Sequence, residues 1–343
     1  MRIGILTGGG DCPGLNNAIR AAVRQATQLG HEVLGVHDGW AGMLDKDVQP
    51  LSWREVEGAF NEGGTLLGTS RTNPYRSPDG PARVMKNFAD MGLDALIAIG
   101  GDDTLGVARK LTDEGVPCVG VPKTMDNDVG GTDYTIGFQT AAAIATEAAE
   151  RLHSTARSHR RTMLLEVMGR NAGWVALWAG LCGGAHLTLL PEFPVDMDDV
   201  CAFVAARQAR GEQYTIIVTA EGVEPQNLKG MDYEVRGRDQ FGHVRLGGVG
   251  EAIADEVRRR TGVETRATVL GYVQRGGPPV PFDRMLATGL GLKAVELAHE
   301  RRFGTMAALR GGEIVAVPIA AALERPKLVS PELARSVMPL LRL

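Results

Sequence analysis

Along this chain, short apolar runs end repeatedly in glycine, hydroxyl or charged residues, and a helical pattern follows. Ile3–Leu6 runs into Thr7-Gly8-Gly9-Gly10-Asp11-Cys12-Pro13-Gly14, and Asn16–Leu29 then carries Ala18, Ile19, Ala22, Val23 and Ala26 at helical spacing. Ala95–Ile99 runs into Gly100-Gly101-Asp102-Asp103-Thr104, with a helix from Leu105 to about Leu111. Cys118–Val121 runs into Pro122-Lys123-Thr124-Met125-Asp126-Asn127-Asp128, and a long Ala-rich helix spans Gly137–His159. Runs of this length bounded by turn residues read as buried strands. Strands alternating with helices require parallel sheets with helices on both faces, so the fold class is α/β. In such folds ligands collect at the carboxyl ends of the strands, where these turns would line one edge of one sheet.

The second half continues the alternation. A strand opens at Arg160-Arg161 and runs through Val167, closing on Met168-Gly169-Arg170-Asn171. Trp174–Leu181 is an apolar helix whose Trp174 and Trp178 read as core residues. His186–Leu190 and Tyr214–Thr219 are strands, the latter ending at Glu221, and Arg266–Leu270 is a strand followed by Gly271-Tyr272-Val273-Gln274-Arg275. Helices are expected over Gly247–Thr261, Pro281–Ala298 and Pro331–Leu341. Asp38–Gly42 reads as a loop, and the polar, glycine-bearing stretch Gly222–Leu246 as an insertion.

A length of 343 residues suggests about two domains. The net charge of −4 argues against nucleic acid or a membrane surface as partner, and no apolar stretch is long enough to span a bilayer. The amino terminus reads as a strand rather than a signal peptide. Cys12, Cys118, Cys182 and Cys201 form no CxxC pair, so reduced thiols in a cytoplasmic protein are expected. The seven histidines show no metal-ligand spacing.

The chemistry is concentrated in the turns. The Thr7–Gly14 turn fits a backbone cradle for phosphate at a helix N-terminus, and equally a plain tight turn. It matches neither G-x-G-x-x-G nor the Walker A pattern. Asn61–Arg71 is a second glycine-rich segment, ending in hydroxyls and an arginine suited to phosphate, though taken alone it reads rather as a surface loop with a solvated arginine. Asp102 and Asp103 suit helix caps or a Mg²⁺ ion bridging phosphate oxygens. Asp126 and Asp128, two apart, would lean the same way from an extended loop, and a carboxylate pair beside Lys123 suits a general base near a bound polyanion or metal; taken alone, the loop also reads as an ordinary Asn/Asp-rich turn. Arg161, Arg170, Arg266, Arg275 and Glu221 at strand boundaries suit an anionic acceptor bearing hydroxyls, such as a sugar phosphate.

Five of these stretches, Leu6–Gly14, Gly100–Thr104, Pro122–Asp128, Glu166–Arg170 and Gln274–Gly277, closely resemble the 6-phosphofructokinase family, in register from the first strand to about Ala298. The resemblance implies two Rossmann-like lobes with the active site in the cleft between them. Residues 1–137 with about 274–327 would be the phosphoryl-donor lobe, and 138–273 with about 328–343 the sugar-phosphate lobe. It implies transfer of a phosphoryl group to the 1-hydroxyl of fructose 6-phosphate, with Mg²⁺ as cofactor. Asp126 matches the general base, flanked by Thr124 and Asp128; Asp102 matches the Mg²⁺-associated carboxylate. Gly9, Gly10, Arg71, Asp103, Thr104 and Lys123 fall on the donor side. Arg170 matches the arginine on the transferring phosphoryl. Met125, Met168, Gly169, Glu221, Tyr272 and Arg275 fall on the sugar-phosphate side, Tyr272 departing from the family's usual histidine. Arg161 and Arg266 match residues that reach a neighbouring subunit's site, which implies a homo-oligomer, at least a dimer.

Two further departures carry expectations. ATP-dependent relatives usually have glycine where Asp103 and Lys123 stand. An aspartate there fills the space of a nucleotide α-phosphate and repels its charge, and a lysine adds a point charge suited to a compact polyanion. The pair resembles the pyrophosphate-dependent branch; the alternative is an ATP-dependent 6-phosphofructokinase that tolerates both side chains. At positions matching a bacterial effector pocket, Arg20 and Arg24 persist, but Trp53, His153, Glu212 and Gln213 supply no fixed positive charge, so weak or no allosteric response is expected.

Overall fold

The computed structural model describes residues 1–228 and 248–341. The strands are β1 Arg2–Thr7, β2 Glu32–Val36, β3 Val48–Pro50, β4 Ala95–Gly100, β5 Cys118–Pro122, β6 Thr162–Val167, β7 Leu187–Leu189, β8 Val195–Asp196, β9 Thr215–Ala220, β10 Pro225–Gln226, β11 Thr265–Val269, β12 Thr305–Arg310 and β13 Glu313–Pro318. The helices are α1 Leu15–Gln28, α2 Trp40–Asp45, α3 Trp53–Glu57, α4 Gly80–Asp90, α5 Asp102–Asp113, α6 Phe138–His159, α7 Trp174–Cys182, α8 Met197–Ala209, α9 Val249–Thr261, α10 Pro281–His299, α11 Ile319–Ala322 and α12 Pro331–Leu341.

The chain divides into two compact units. One holds Met1–Thr140 and Arg275–Pro326; the other holds the described residues from Ala141 to Gln274, and Lys327 onward. The first unit is built on a seven-stranded sheet in the order β13-β12-β5-β4-β1-β2-β3. Its centre is parallel, and β3 and β13 pair antiparallel at the two edges. Every residue of β4 and β5 is buried, as expected of strands covered on both faces. One face of the sheet packs a core around Ile3, Ile5, Ile97 and Val119 with Leu15, Ile19, Leu290 and Val295 of α1 and α10. The other packs Leu6, Leu96 and Ala98 against Val107, Leu111, Val84 and Trp40. The second unit has a four-stranded, all-parallel sheet in the order β11-β6-β9-β7.

Strand order explains where ligands can approach. From β1 the chain moves one way to β2 and then returns past β1 to β4 and β5, so the topology reverses between β1 and β4. A crevice opens at the carboxyl ends of strands at such a point. The register aligns three of the turns there: Thr7 pairs with Ile99, and Ile99 with Val121.

Asp38–Gly42 is only partly the expected loop, because Trp40–Asp45 forms a short helix. Trp40 is driven into the core and closes a turn that its glycines had obscured. Helix α8, β12 and β13 were not expected from the sequence. Most of the stretch Gly222–Leu246 lies outside the described residues.

Candidate active site

In the first unit the site is built from the turn after β1. Gly8 N–H donates to Ile99 O and Gly9 N–H to Ser70 O, each at 3.0 Å, so neighbouring segments fix the turn's course. Gly9 has a φ of 81°, in the left-handed region. A Cβ on Gly10 would lie 2.6 Å from Arg275 Nη1, so only glycine lets that guanidinium close over the turn, where it donates to Asp11 O at 3.0 Å. Thr69 Oγ1 donates to Gly9 O at 2.7 Å, and Arg71 lies exposed beside the same segment.

Lys123 lies beneath this turn. It is 3% exposed, and its ammonium donates to Gly8 O at 2.9 Å and to Gly10 O. Burial holds its pKa below the usual lysine value, opposed first by the nearby Cys12 and Asp11. An ammonium bound to two carbonyls helps fix the turn's course, in which the N–H groups of Gly8 and Gly9 are already given to Ile99 O and Ser70 O. Lys123 is therefore part of the cradle rather than a projecting point charge. Thr104, also buried, packs its hydroxyl against Gly8, and Asp103 is partly buried on the first turn of α5. Asp102 is exposed and accepts the Asp103 N–H at 2.9 Å.

The loop after β5 is turned rather than extended. Asn127 takes a φ of 55°, and its buried side chain accepts Thr135 N–H at 3.1 Å. Thr135 Oγ1 donates to Thr124 O at 2.5 Å, and Asp126 N–H donates to Thr124 Oγ1 at 3.2 Å. The expectation that Asp126 and Asp128 share a side through an extended strand is thus corrected: their proximity comes from this turn. It is electrostatically large. Burial, then the charges of Asp126 and Asp102, push the Asp128 carboxyl up to about 7. Met125, expected on the sugar side, is 1% exposed, so its side chain is packed in the interior.

Three carboxylates that repel one another are a donor set suited to a cation. Among the described residues no group of three His, Cys, Asp or Glu gathers closely enough to hold a metal by itself.

In the second unit the register again aligns strand ends: Val167 pairs with Ala220, and Glu166 with Val269. Met168-Gly169-Arg170, Glu221 and Tyr272 therefore follow on one edge. Gly169 has a φ of 140°, Gly222 N–H donates to Gly169 O at 3.0 Å, and Arg170 Nε is buried with no hydrogen-bond partner among the described residues. A buried guanidinium N–H without an acceptor is costly unless an anion supplies one. Tyr272 is 80% exposed. The remaining arginines do not join this edge. Arg161 precedes β6 and Arg266 pairs with Met163, both towards the opposite end of the sheet; at the rise of a strand Arg161 is about 20 Å and Arg266 about 10 Å from the strand ends that lead to Arg170 and Tyr272. Arg266 is exposed and ion-paired to Glu264 at 2.7 Å.

Two supporting residues escaped the sequence reading. Gln274, fully buried, accepts Met168 N–H at 3.3 Å and donates to Gly271 O at 2.9 Å, tying two site segments together. Asp283, fully buried on α10, accepts Gly137 N–H at 3.1 Å, Thr140 N–H at 2.7 Å and Thr140 Oγ1 at 2.6 Å. It caps α6 from another helix; an aspartate in a first helical turn gives no sequence sign of that.

The fold defines an α/β protein whose glycine and carboxylate turns gather at the carboxyl ends of its parallel strands. The phosphofructokinase family model matches residues 2–298, and the chain belongs to that family. A Streptomyces coelicolor protein named pyrophosphate–fructose 6-phosphate 1-phosphotransferase is 54% identical over 98% of this chain and 98% of its own length. A Corynebacterium efficiens protein named ATP-dependent 6-phosphofructokinase is 51% identical over 92% and 91%. The crystal structure of Pichia pastoris phosphofructokinase in the T-state superposes with a TM-score of 0.82 at 31% identity, over 94% of this chain and 35% of that one.

Proposed function

We propose that this chain transfers a phosphoryl group from pyrophosphate to the 1-hydroxyl of fructose 6-phosphate, reversibly, giving fructose 1,6-bisphosphate and phosphate. The observation that carries the reading is the Lys123 ammonium bound beneath the glycine turn, with Asp126 and Asp128 following it in the same loop and Asp102 acting on Asp128. Two of its three N–H groups hold Gly8 and Gly10, so its charge lies under the turn, where a compact polyanion would meet a fixed cation. Asp126 takes the hydroxyl proton and Thr124 supports it. Gly9, Gly10, Arg71, Asp103, Thr104 and Lys123 hold the donor. Met168, Gly169, Arg170, Glu221, Tyr272 and Arg275 hold the acceptor, with Arg170 supplying N–H groups to the phosphoryl in flight. A Mg²⁺ ion held through Asp102 would neutralise phosphate charge. Catalysis is then positioning and electrostatics.

Pyrophosphate- and ATP-named relatives occur at similar identity, so the donor turns on Asp103 and Lys123. Initial rates with fructose 6-phosphate and Mg²⁺, pyrophosphate against ATP, test the assignment: equal rates would refute the donor, and loss of activity in a chelator is expected. Rates with ATP alone would favour the second reading, that of the 51% identical relative's name.

Three finer readings go with this one. Arg161 and Arg266 lie at the sheet end opposite Arg170, which favours their serving a second copy of the chain in a homo-oligomer. Arg20 and Arg24 each pair with Glu57 at 3.2 Å, which favours weak or absent allosteric control. A cytoplasmic location belongs to the same proposal, on the reduced thiols expected of its four cysteines; separately, no helix among the described residues is long and apolar enough to cross a membrane.

A further inference from the structure

The loop that carries Arg170 leaves β6 at Val167 and reaches α7 at Trp174. Its near end is held by Gln274 through Met168 N–H. Its far end is held by a different part of the chain. Gly173 N–H donates to Glu192 Oε1 at 2.8 Å, and the same oxygen accepts Val329 N–H at 2.9 Å. The next residue, Trp174, donates its indole N–H to Lys327 O at 2.8 Å, and the Lys327 ammonium lies 5.8 Å from the centre of the Trp174 ring. Trp174, expected in the core, is thus half-buried and joined to the C-terminal segment. Val329 and Ala334 are buried, so this segment is packed down rather than trailing.

The joint is selective for its residues. A Cβ on Gly173 would lie 2.8 Å from Glu192 Oε2, so glycine is what lets the carboxylate close on the first turn of α7. That Oε2 is itself buried without a hydrogen-bond partner among the described residues, a cost accepted so that Oε1 can join two backbone N–H groups. The family model ends at residue 298, so Lys327–Val329 lies outside what it matches.

We propose that the segment Lys327–Val329, joined to α7 through Glu192 and Trp174, is a positioning clamp that sets the Arg170 loop for phosphoryl transfer. It rests on the assignment of Arg170 above. Arg170 is three residues from Gly173, and reacting groups must be held to a fraction of an ångström, a 1 Å misplacement costing on the order of 100-fold in rate. The clamp acts on the loop, not on substrate: neither Glu192 nor Trp174 is assigned to the reacting groups.

The test uses the full chain with Glu192→Ala, Glu192→Gln and Trp174→Phe. Glutamine keeps an acceptor oxygen at the joint; phenylalanine keeps a ring but no N–H. Hydrogen exchange is read over residues 168–174, alongside kcat, the KM for each substrate and the melting temperature. In Glu192→Ala the loop amides should exchange at least tenfold faster, with exchange in β1, β4 and β5 unchanged. Its kcat should fall about tenfold while the donor KM holds within twofold. Glu192→Gln should restore most of both, and Trp174→Phe should fall between. A loop that exchanges at the wild-type rate in Glu192→Ala overturns the clamp. So does a loosened loop with kcat within twofold of wild type, which would leave the joint a purely stabilising contact. A wild-type chain inactive with every donor would defeat the proposed function and with it the clamp's catalytic role, while the exchange data still decide whether the joint holds the loop.

Discussion

Replacing Asp126 by asparagine should abolish turnover and, in the same protein, raise its stability at alkaline pH. Asp128 has a carboxyl pushed from 3.8 up to about 7, by burial first and by the charges of Asp126 and Asp102 after it. At about 1.4 kcal/mol per pH unit, keeping Asp128 ionised at pH 8 costs about 4 kcal/mol. Burial is the larger cause, so neutralising Asp126 should return about 1–2 kcal/mol of that. The sign follows from proton linkage: the folded pKa is raised, so the folded state binds the proton more tightly and stability falls as pH rises from about 4 to about 7. Asp126→Asn should therefore melt about 2–8 °C above wild type at pH 8, taking about 2–4 °C per kcal/mol for a unit of this size. At pH 5 Asp128 is already protonated and the gain should vanish. Calorimetry of both proteins at the two pH values, with chelator present, isolates the charge term, because pH-independent effects of the substitution cancel. Mg²⁺ should then stabilise wild type more than the variant. The kcat should drop about 10²–10⁴-fold, the range for losing a general base. An equal gain at both pH values would show that the carboxylates do not act on one another, and a kcat near wild type would remove Asp126 from its role.

Other consequences are as direct. Burial, with the charges of Arg207 and His153, holds His186 down at about 4, and its Nδ1 accepts Ile216 N–H at 2.8 Å; its contribution to stability is full above about 6.5 and is lost as pH falls towards 4. Denaturation of wild type and His186→Gln at pH 7.5 and 4.5 should show the larger acid loss in wild type. Asp103→Gly should raise the ratio of ATP to pyrophosphate kcat/KM at least tenfold, whereas Lys123→Gly should also lower the melting temperature, because the carbonyls of Gly8 and Gly10 lose their donor. Asp283→Ala leaves three donors at α6 without their acceptor and should cost about 2–4 kcal/mol in chemical denaturation, with a small change in substrate KM. Mixing Asp126→Asn subunits with Arg161→Ser/Arg266→Ala subunits, each inactive alone, should recover measurable activity after refolding together; none would argue against a site shared between copies.

Much of this protein was legible before any coordinate. Apolar runs such as Ala95–Ile99 and Cys118–Val121 can only be buried strands, and their alternation with helical spacing leaves parallel α/β layering as the solution that buries both faces. The turns that follow them suited phosphate chemistry and equally plain turns and caps; it was their resemblance to the 6-phosphofructokinase family that named the chemistry. Strand order, register and side-chain direction were decided only by packing. The alignment of Thr7, Ile99 and Val121 depends on the chain returning past β1, which no local pattern encodes. Lys123 reads in sequence as a projecting cation and is in fact folded under the turn, since its ammonium finds two carbonyls 113 and 115 residues away in the chain. Asp283 and Glu192 drew no reading in the sequence and Gln274 only a place in a motif, and each binds backbone that only the tertiary fold brings to it. Periodicity and turn chemistry are local and can be read from the sequence; a hydrogen bond's partner across the chain is set by which faces the core forces together.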